Sequence, residues 1–449
     1  MSVSIACMGR GLFALWAVAL IAAPARGRAD PSGATWDEKI EVASGGGYKG
    51  PWRMNESEFD YVDDPTVAIN ERGFVGVAWA DQSRLDIFFQ IYESGGGKRF
   101  EEPVNVSANP RTFSWLPKIV IGSGDAGEAY VLWQEIVFSG GTHGGEIFFA
   151  RSTDGGKTFS DPINLSNTIA GDGKGRLTRR RWDNGSLDLA MGPQGNLYAA
   201  WTEYEGRLWF SRSTDRGEIF SDPLPIAGGH DAEPARGPSL AVDAEGAVYL
   251  AWTVGEDKAA DIRFEKSVDH GRSFGEPGIV FESGGHADAP KIAVDGKGTV
   301  HMVYGESPAG PFQRYHIRYT RLNDGERAFE EPTEISSPQT EQFESMSFPA
   351  LSLDGEDNIY VIWDLSPRRG FYPRGLGFTC SSDGGRTFVL PSVIPGSADL
   401  ALGINGSQQG LLMRKLAVNG TGAIAVVNST FKRNQTSGIW LFRGQAAGC

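Results

Sequence analysis

Acidic, basic and aromatic residues recur at two fixed places relative to the apolar segments of the chain. One set follows these segments and the other set precedes them. The first set contains Glu135, Glu203 and Asp364, and the second contains Trp182, Arg236, Lys291 and Arg414. Charged groups can fix the hydroxyls or carboxylates of a sugar while aromatic rings stack on its faces. We therefore expect a polar ligand, with a carbohydrate as the leading candidate.

The apolar segments themselves form a repeat. Its best copy, residues 238–252, contains two alternating apolar runs around an Asp-x-x-Gly turn and ends at Trp252. Counterparts end at Trp79, Trp133, Trp201, Tyr304 and Trp363, at intervals of 51 to 68 residues. Alternation with a period of two indicates strands. Each unit therefore begins with two antiparallel strands, and we expect the functional loops to precede the first strand and follow the second.

A second motif, Ser-x-Asp-x-Gly-x-Thr-Phe, occupies residues 152–159 and returns at 213–220, 267–274 and 381–388. Its carboxylates are Asp154, Asp215, Asp269 and Asp383. An aspartate in such a turn accepts backbone N–H groups, while the glycine adopts a backbone conformation that other residues avoid. We predict a hairpin between the third and fourth strands of each unit, with a structural role for these four aspartates.

This string resembles the Asp-box, or BNR repeat, of the sialidase superfamily, whose members are β-propellers. The resemblance implies an all-β, seven-bladed propeller with its functional face opposite the Asp-boxes. Six blades are explicit in the sequence. Residues 415–427 and 438–443 supply three strands of the seventh, and residues 35–42 match a fourth strand, so the N-terminal strand is expected to close the last blade. Residues 26–449 would then form one domain.

The same resemblance implies candidate catalytic residues. The stretch ending at Asp81 and Asp86 is similar to the family segment that holds its acid/base aspartate, and Tyr204 or Tyr372 would have to replace the tyrosine nucleophile. Asp63 stands where the family has a carboxylate-binding arginine, and Phe348 stands near the expected tyrosine. Because this set is incomplete, the leading hypothesis is a carbohydrate-binding protein. An active sialidase-like glycoside hydrolase and a scaffold for an exported protein complex are the alternatives.

Composition and charge narrow the classes of partner. Sixty Gly and 24 Pro in 449 residues indicate a turn-rich chain. A net charge of −14 argues against nucleic acid and anionic membrane surfaces as partners. The sequence offers no zinc spacing or nucleophile motif, so we expect neither a metal nor a cofactor.

The N-terminus predicts export. Residues 1–25 have the features of a signal peptide, with Arg10 before an apolar run and a small-residue cleavage site. We expect a secreted or periplasmic protein without a membrane span. The mature chain keeps Cys380 and Cys449, which either form a disulfide or leave Cys380 as a buried thiol.

Overall fold

The structure is a computed structural model. It describes residues 33–449 except 52, 54, 125–126, 137–144, 168–176, 179–180, 183–185, 204–205, 230–232, 256–259, 312, 338–341, 369–371 and 404–412. The predicted signal peptide lies outside the described residues. Strands dominate the described part, and its single helical element is a 3-10 turn at Pro193–Gly195. Among these residues no helix is long and apolar enough to cross a membrane.

The strands follow one another along the chain as an N-terminal segment and a series of blades. The N-terminal segment contains β1 (Ala34–Trp36), β2 (Ile40–Gly45), β3 (Tyr48–Lys49) and β4 (Phe59–Asp60). Blade 1 contains β5 (Val62–Ile69), β6 (Val75–Asp81), β7 (Asp86–Tyr92) and β8 (Val104–Asn105). Blade 2 contains β9 (Ser114–Ile121), β10 (Ala129–Glu135), β11 (Glu146–Ser152) and β12 (Ile163–Asn164). A short hairpin follows, formed by β13 (Leu177–Thr178) and β14 (Arg181–Trp182).

Blade 3 contains β15 (Leu187–Met191), β16 (Leu197–Thr202), β17 (Leu208–Ser213) and β18 (Leu224–Ala227). Blade 4 contains β19 (Ala235–Val242), β20 (Val248–Val254), β21 (Asp261–Ser267) and β22 (Gly278–Ile279). Blade 5 contains β23 (His286–Val294), β24 (Val300–Ser307), β25 (His316–Leu322) and β26 (Thr333–Glu334). Blade 6 contains β27 (Ser345–Leu353), β28 (Ile359–Ser366), β29 (Gly375–Ser381) and β30 (Ser392–Val393). Blade 7 contains β31 (Leu416–Val418), β32 (Ala423–Lys432) and β33 (Thr436–Ala446).

These sheets confirm the prediction of a seven-bladed β-propeller. Blades 1 to 6 are four-stranded and antiparallel, each in sequence order. In blade 7, β1 and β2 both pair with β33. Ala34 of β1 lies opposite Ala446, and Ile40 of β2 lies opposite Leu441. The N-terminal strand therefore closes the last blade, as predicted. It does so in two segments, β1 and β2, separated by residues 37–39, of which Asp37 still donates its N–H to the Arg443 carbonyl of β33.

Cys380 and Cys449 form a disulfide. Their Cα atoms lie 5.6 Å apart and 69 residues separate them in sequence. Cys380 is fully buried in β29, so burial and pairing occur together, and the alternative of a buried free thiol is wrong. The bond ties the C-terminus to blade 6.

Each aspartate of the repeated Ser-x-Asp hairpin motif accepts hydrogen bonds from its own turn. In blade 2, Asp154 accepts the N–H groups of Lys157 and Thr158 and the hydroxyls of Ser152 and Thr158, at 2.6 to 3.0 Å. The turns around Asp269 and Asp383 contain equivalent side-chain and backbone donors, and the Asp215 turn keeps the serine and backbone donors but has Ile219 in place of the hydroxyl residue. These hydrogen bonds hold the hairpin between the third and fourth strands.

The aromatic residue that ends each hairpin packs on the preceding blade. Phe274 of blade 4 contacts Phe210 of blade 3 edge to face, with ring centroids 4.9 Å apart. Equivalent pairs join the other blades: Phe159 with Phe89, Phe220 with Phe149, Phe329 with Phe264, Phe388 with Tyr319, and Trp36 with Phe378. Gly271 allows this packing, because a Cβ there would lie 2.7 Å from Phe210 Cζ and its φ is +76°.

We expect Phe210→Ala to destabilise the propeller by about 3–5 kcal/mol, because this ring is 1% exposed and joins blades 3 and 4. The measurement is the free energy of unfolding from denaturant titration. Phe281→Ala is the matched control, since that ring is 38% exposed and we expect a change within about 0.5 kcal/mol. Equal losses in the two variants would contradict the role of the inter-blade ring.

Candidate functional site

Five of the first strands contain the same bulge next to the propeller axis. In each, a residue with positive φ precedes a proline and the register shifts. The residues are Asp64 (φ 52°), Leu116 (53°), Gly237 (59°), Ala289 (57°) and Phe348 (52°). Such backbone conformations are uncommon for non-glycine residues and tend to occur at functional sites. The bulge separates two groups of side chains along every one of these strands.

The residues that follow the bulges define what we call the axial layer. Each of these residues lies opposite a residue of the second strand of its own blade, just before the aromatic residue that the repeat has there. Blades 3 and 7 have no proline at this place, but Asp188 and Lys415 occupy the equivalent positions. The layer consists of Thr66, Lys118, Asp188, Ser239, Lys291, Ala350 and Lys415. One position from every blade therefore meets at the axis.

Asp188 is the electrostatic centre of the axial layer. Its Oδ1 lies 3.3 Å from Arg414 Nη2, which also donates to the Leu189 carbonyl at 2.8 Å. Its Oδ2 accepts the Leu240 N–H at 2.9 Å. Burial opposes ionisation of Asp188, but Arg414 and nearby lysines outweigh burial and lower its pKa below the usual range. Arg414 thus joins blade 7 to blade 3.

Three lysines complete the buried charge of this layer. Burial, together with neighbouring cations, lowers the pKa of Lys291 and lowers that of Lys118 well below the usual range. Lys415 Nζ lies 2.7 Å from both carboxylate oxygens of Asp364, and both side chains are buried. The structure therefore brings together three predicted ligand-binding residues, Lys291, Asp364 and Arg414, in the interior near the axis.

The residues on the other side of the bulges form a second cluster between blades 4 and 5. Arg236 Nε lies 3.5 Å from Asp288 Oδ1, and its Nη1 donates to the Gly255 carbonyl. His286 Nε2 lies 3.4 Å from Arg236 Nη2 and 3.5 Å from Asp288 Oδ2. We call these three residues, with the adjacent Tyr315, the blade 4–5 cluster. It lies on the side of the axial layer away from the hairpins that contain Asp154 and its equivalents.

The blade 4–5 cluster combines the Arg236–Asp288 ion pair with the half-buried ring of Tyr315. Burial opposes ionisation of Asp288, but Arg236 and His286 outweigh it and hold the pKa of this carboxyl below its usual range. Asp288 also accepts the Thr253 hydroxyl at 3.1 Å. The rings of His286 and Tyr315 meet edge to face at 6.1 Å, with His286 3% exposed and Tyr315 half-buried. Such a set can donate to, and accept from, the hydroxyl and acidic groups of a sugar.

Glu135, another predicted ligand-binding residue, is a buried carboxyl. It accepts hydrogen bonds from Ser114 Oγ at 2.7 Å, Trp133 Nε1 at 2.8 Å and Asn109 Nδ2 at 3.1 Å, and also from the Thr112 hydroxyl. Burial raises its pKa to about 7 although these hydrogen bonds oppose the shift. Its contacts are those of a group that organises blade 2.

The two aspartates that the family resemblance implies as acid/base residues accept hydrogen bonds from the loops around them. Asp81 Oδ1 accepts the hydroxyl and N–H of Ser83 and the N–H of Arg84, at 2.7 to 3.2 Å. Asp86, which is 3% exposed, accepts hydrogen bonds from Asn105, Ser107 and Asn109 at 2.6 to 2.8 Å. Catalysis by either aspartate stays a prediction.

The remaining predicted residues do not join either cluster among the contacts described. Glu203 accepts Trp209 Nε1 at 2.8 Å and lies 3.7 Å from Arg207. Tyr372 is 51% exposed, and Trp182 belongs to β14. Tyr204 and the side chain of Trp182 lie outside the described residues. Across the described part of the chain, no group of three His, Cys, Asp or Glu residues could hold a metal ion.

The sequence predictions did not single out Lys118, Asp188, Asp288, Tyr315 or Lys415 as site residues. A signal for three of the clustered residues was present in the residue-x-Pro-residue pattern that opens five of the first strands. That pattern places Asp288 before a bulge and Lys118 and Lys291 after one. Tyr315 has no comparable signal, because its contact with His286 depends on the packing of the chain between β24 and β25 against β23.

No protein-family model and no curated protein sequence matches this chain. Solved structures match it at low identity. A PL25 ulvan lyase bound to -[GlcA(1-4)Rha3S]- is 13% identical, with 90% of this chain and 95% of that chain covered and a TM-score of 0.57. The polysaccharide lyase Uly1 is 10% identical, with 92% and 99% covered and a TM-score of 0.54. The Hadza microbial sialidase Hz136 is 13% identical, with 71% and 65% covered and a TM-score of 0.44. The two lyases share the fold of this chain.

The raised pKa of Glu135 predicts a pH-dependent stability. A group whose pKa rises from 4.5 to about 7 on folding stabilises the fold below about pH 4.5, and this contribution is lost as pH rises through 7. In Glu135→Gln the group cannot ionise. We expect its free energy of unfolding to fall less than that of the wild type between about pH 5 and pH 8, by up to about 3 kcal/mol.

Denaturant titration at the two pH values measures this difference. Glu102→Gln is the control, because Glu102 is exposed on the blade 1 hairpin. A wild-type pH dependence in Glu135→Gln would show that Glu135 ionises in the folded protein as it does in the unfolded chain.

Proposed function

We propose that this chain is an exported, carbohydrate-directed β-propeller that binds an acidic polysaccharide at the blade 4–5 cluster. The observation that carries the proposal is the fixed position of Arg236, whose guanidinium contacts Asp288, Gly255 and His286. A guanidinium that is already oriented loses little conformational freedom when it binds a carboxylate or sulfate. His286, Thr253 and Tyr315 surround it with further hydrogen-bonding groups.

Basic side chains outnumber carboxylates beneath this cluster. The whole chain has a net charge of −14, yet the described residues of the axial layer and its partners contain four basic side chains and two carboxylates. The basic side chains are Lys118, Lys291, Arg414 and Lys415, and the carboxylates are Asp188 and Asp364. Burial lowers the pKa of Lys118 and Lys291, and an anionic ligand bound nearby would favour their charged forms. β19 and β23 connect the two groups, since Arg236 and Asp288 each lie three residues before the axial layer.

The fold comparison guides the choice of ligand. The PL25 ulvan lyase that shares this fold was solved with a repeat containing glucuronate and a sulfated rhamnose. Ulvan is therefore the first polysaccharide to test. Sialidase-like hydrolysis is less favoured, because Asp81 and Asp86 already serve as acceptors within their own loops.

We expect Arg236→Met to weaken ulvan binding at least about 10-fold, because a charged hydrogen bond contributes about 1.5–3 kcal/mol. Isothermal titration calorimetry on the secreted, disulfide-bonded chain measures this. Arg236→Lys keeps the charge and should bind with intermediate affinity. Arg327→Met, on an exposed hairpin position of blade 5, should bind as the wild type does. Equal affinity in Arg236→Met and the wild type would place the ligand elsewhere.

A second candidate function is polysaccharide β-elimination, and the contact between His286 and Tyr315 beside Arg236 favours it. Arg236 would neutralise the uronate carboxylate. The Tyr315 phenolate would remove the proton from C5, the C4–O4 bond would break as the C4–C5 double bond forms, and Tyr315 would return the proton to the departing O4. His286 is 3% exposed, so it acts on Tyr315 as a positioning residue.

For this candidate we expect Tyr315→Phe to lower formation of unsaturated uronate at least about 100-fold while ulvan affinity changes little, because only the proton carrier is lost. Ultraviolet absorbance of the unsaturated product is the measurement, and Tyr48→Phe, exposed on β3, is the control. Reducing ends that form without unsaturation, and that disappear in Tyr372→Phe, would instead support sialidase-like hydrolysis.

A further inference from the structure

In four blades, a side chain of the third strand is hydrogen-bonded to the chain just beyond the hairpin that follows this strand. The donor residue lies two positions before the serine of the Ser-x-Asp hairpin, or at the equivalent place, and the acceptor is the backbone carbonyl ten residues further on. The four bonds run from Gln90 to Phe100, from Ser211 to Ser221, from Thr320 to Glu330 and from Thr379 to Val389, at 2.5 to 3.0 Å. They hold the third strand to the segment that leads into the fourth strand.

Blade 4 has a carboxyl at this position. Glu265 of β21 lies two residues before Ser267, and Gly275 follows it by ten residues. The neighbouring ring of Phe264 contacts Phe329 of blade 5, so Glu265, which is 4% exposed, projects from the other side of the sheet, towards blade 3. An ionised carboxylate has no proton to donate to a carbonyl, whereas a protonated carboxyl has one. Glu265 can therefore make the same hydrogen bond only in its protonated form.

A backbone hydrogen bond that accompanies this hairpin in other blades is absent from blade 4. In blades 2, 3, 5 and 6, the residue after the hairpin aromatic donates its N–H to a third-strand carbonyl at 2.8 to 2.9 Å. The pairs are Ser160 with Arg151, Ser221 with Arg212, Glu330 with Arg321, and Val389 with Cys380. The equivalent residues of blade 4, Gly275 and Lys266, are both described and do not form this bond. Pairing resumes at Gly278, opposite Phe264, so Glu265 is placed to hold the intervening segment on β21.

The surroundings of Glu265 favour its neutral form. Burial raises its pKa to about 7, and the nearby charge of Glu276 acts in the same direction. Leu250 of β20 lies directly opposite. The other titratable groups on the elements around it are Arg263 on the same side of β21, Tyr198 and Arg212 of blade 3, and Asp269, His270 and Arg272 of the hairpin. Two of these cations already bind backbone carbonyls, Arg212 that of His270 and Arg272 that of Asp269.

We propose that blade 4 contains a pH-sensitive switch, in which protonated Glu265 donates to the Gly275 carbonyl and its ionisation releases the segment that leads into β22. Ionisation replaces a donor by a second acceptor beside the carbonyl and adds a negative charge near Glu276. Phe274 belongs to this segment and packs on Phe210 of blade 3, so release loosens the contact between blades 3 and 4. The switch is independent of the proposed glycan site, whose residues lie outside β21 and its hairpin.

Low pH favours the closed form of this hairpin. A carboxyl whose pKa rises from 4.5 to about 7 on closure stabilises the closed form fully below about pH 4.5, and this stabilisation is lost as pH rises through about 7. Between about pH 5.5 and pH 8, we therefore expect the equilibrium constant for opening to rise at least about 10-fold.

Hydrogen–deuterium exchange of the full disulfide-bonded chain, read by mass spectrometry at about pH 5.5 and pH 8 and corrected for intrinsic exchange rates, measures this opening. Peptide 268–280 should lose protection at the higher pH, whereas peptide 382–394 of blade 6, where Thr379 makes the hydrogen bond, should not. Glu265→Gln supplies an amide donor at both pH values, so its hairpin should stay protected. Glu282→Gln, at an exposed carboxyl between β22 and β23, is the matched control and should behave as the wild type does.

A second variant guards against misfolding of Glu265→Gln. Glu265→Thr provides the hydroxyl that blades 5 and 6 have at this position, and we expect the same pH-independent protection. Equal protection of the wild-type hairpin at both pH values would overturn the proposal. So would a wild-type pH dependence in both Glu265 variants, or an equal loss of protection in the blade 6 peptide.

Discussion

Closure of the ring is the constraint on which the rest of this structure depends. β1 and β2 pair with β33, so the two ends of the chain share one sheet and blade 7 has its outer strand. Without this pairing, the outer edge of β33 in blade 7 would have no partner strand. Closure also brings blade 7 against blade 1, where Val67 donates its N–H to the carbonyl of Arg414. Only then can Arg414 reach Asp188 on the far side of the axis.

Ring closure brings charged side chains of several blades together in the axial layer, and their burial is energetically unfavourable. Several charged groups lie in the interior, where an uncompensated charge is strongly unfavourable. Pairing across blades compensates part of this cost, through Arg414 with Asp188 and Lys415 with Asp364. Burial opposes the charged form of the two remaining basic groups, Lys118 and Lys291, and lowers their pKa.

The two faces of the propeller use similar residues for different purposes. On one face, Asp154 and its equivalents accept hydrogen bonds from the N–H groups of tight turns. On the opposite face, Asp81 and Asp86 likewise accept hydrogen bonds, in larger loops. A sequence resemblance nevertheless implies a catalytic role for them. In the blade 4–5 cluster, by contrast, Asp288 orients an arginine and a histidine. The partners of a carboxylate, rather than its presence in a loop, therefore separate a structural group from a candidate site.

The amino-acid sequence by itself determined the strands, the hairpins and the closing N-terminal strand, because each depends on contacts between near neighbours or on a repeated pattern. The apolar alternation before Trp252 and the turn around Asp154 are local in this sense. The tertiary structure alone decided which charges meet. Arg414 and Asp188 are 226 residues apart, and Arg236 and His286 are 50 apart. Their contacts depend on blade packing and on side-chain reach, which residue spacing does not encode. For the same reason, the pairing of Cys380 with Cys449, 69 residues apart, depends on the position of the C-terminus beside blade 6.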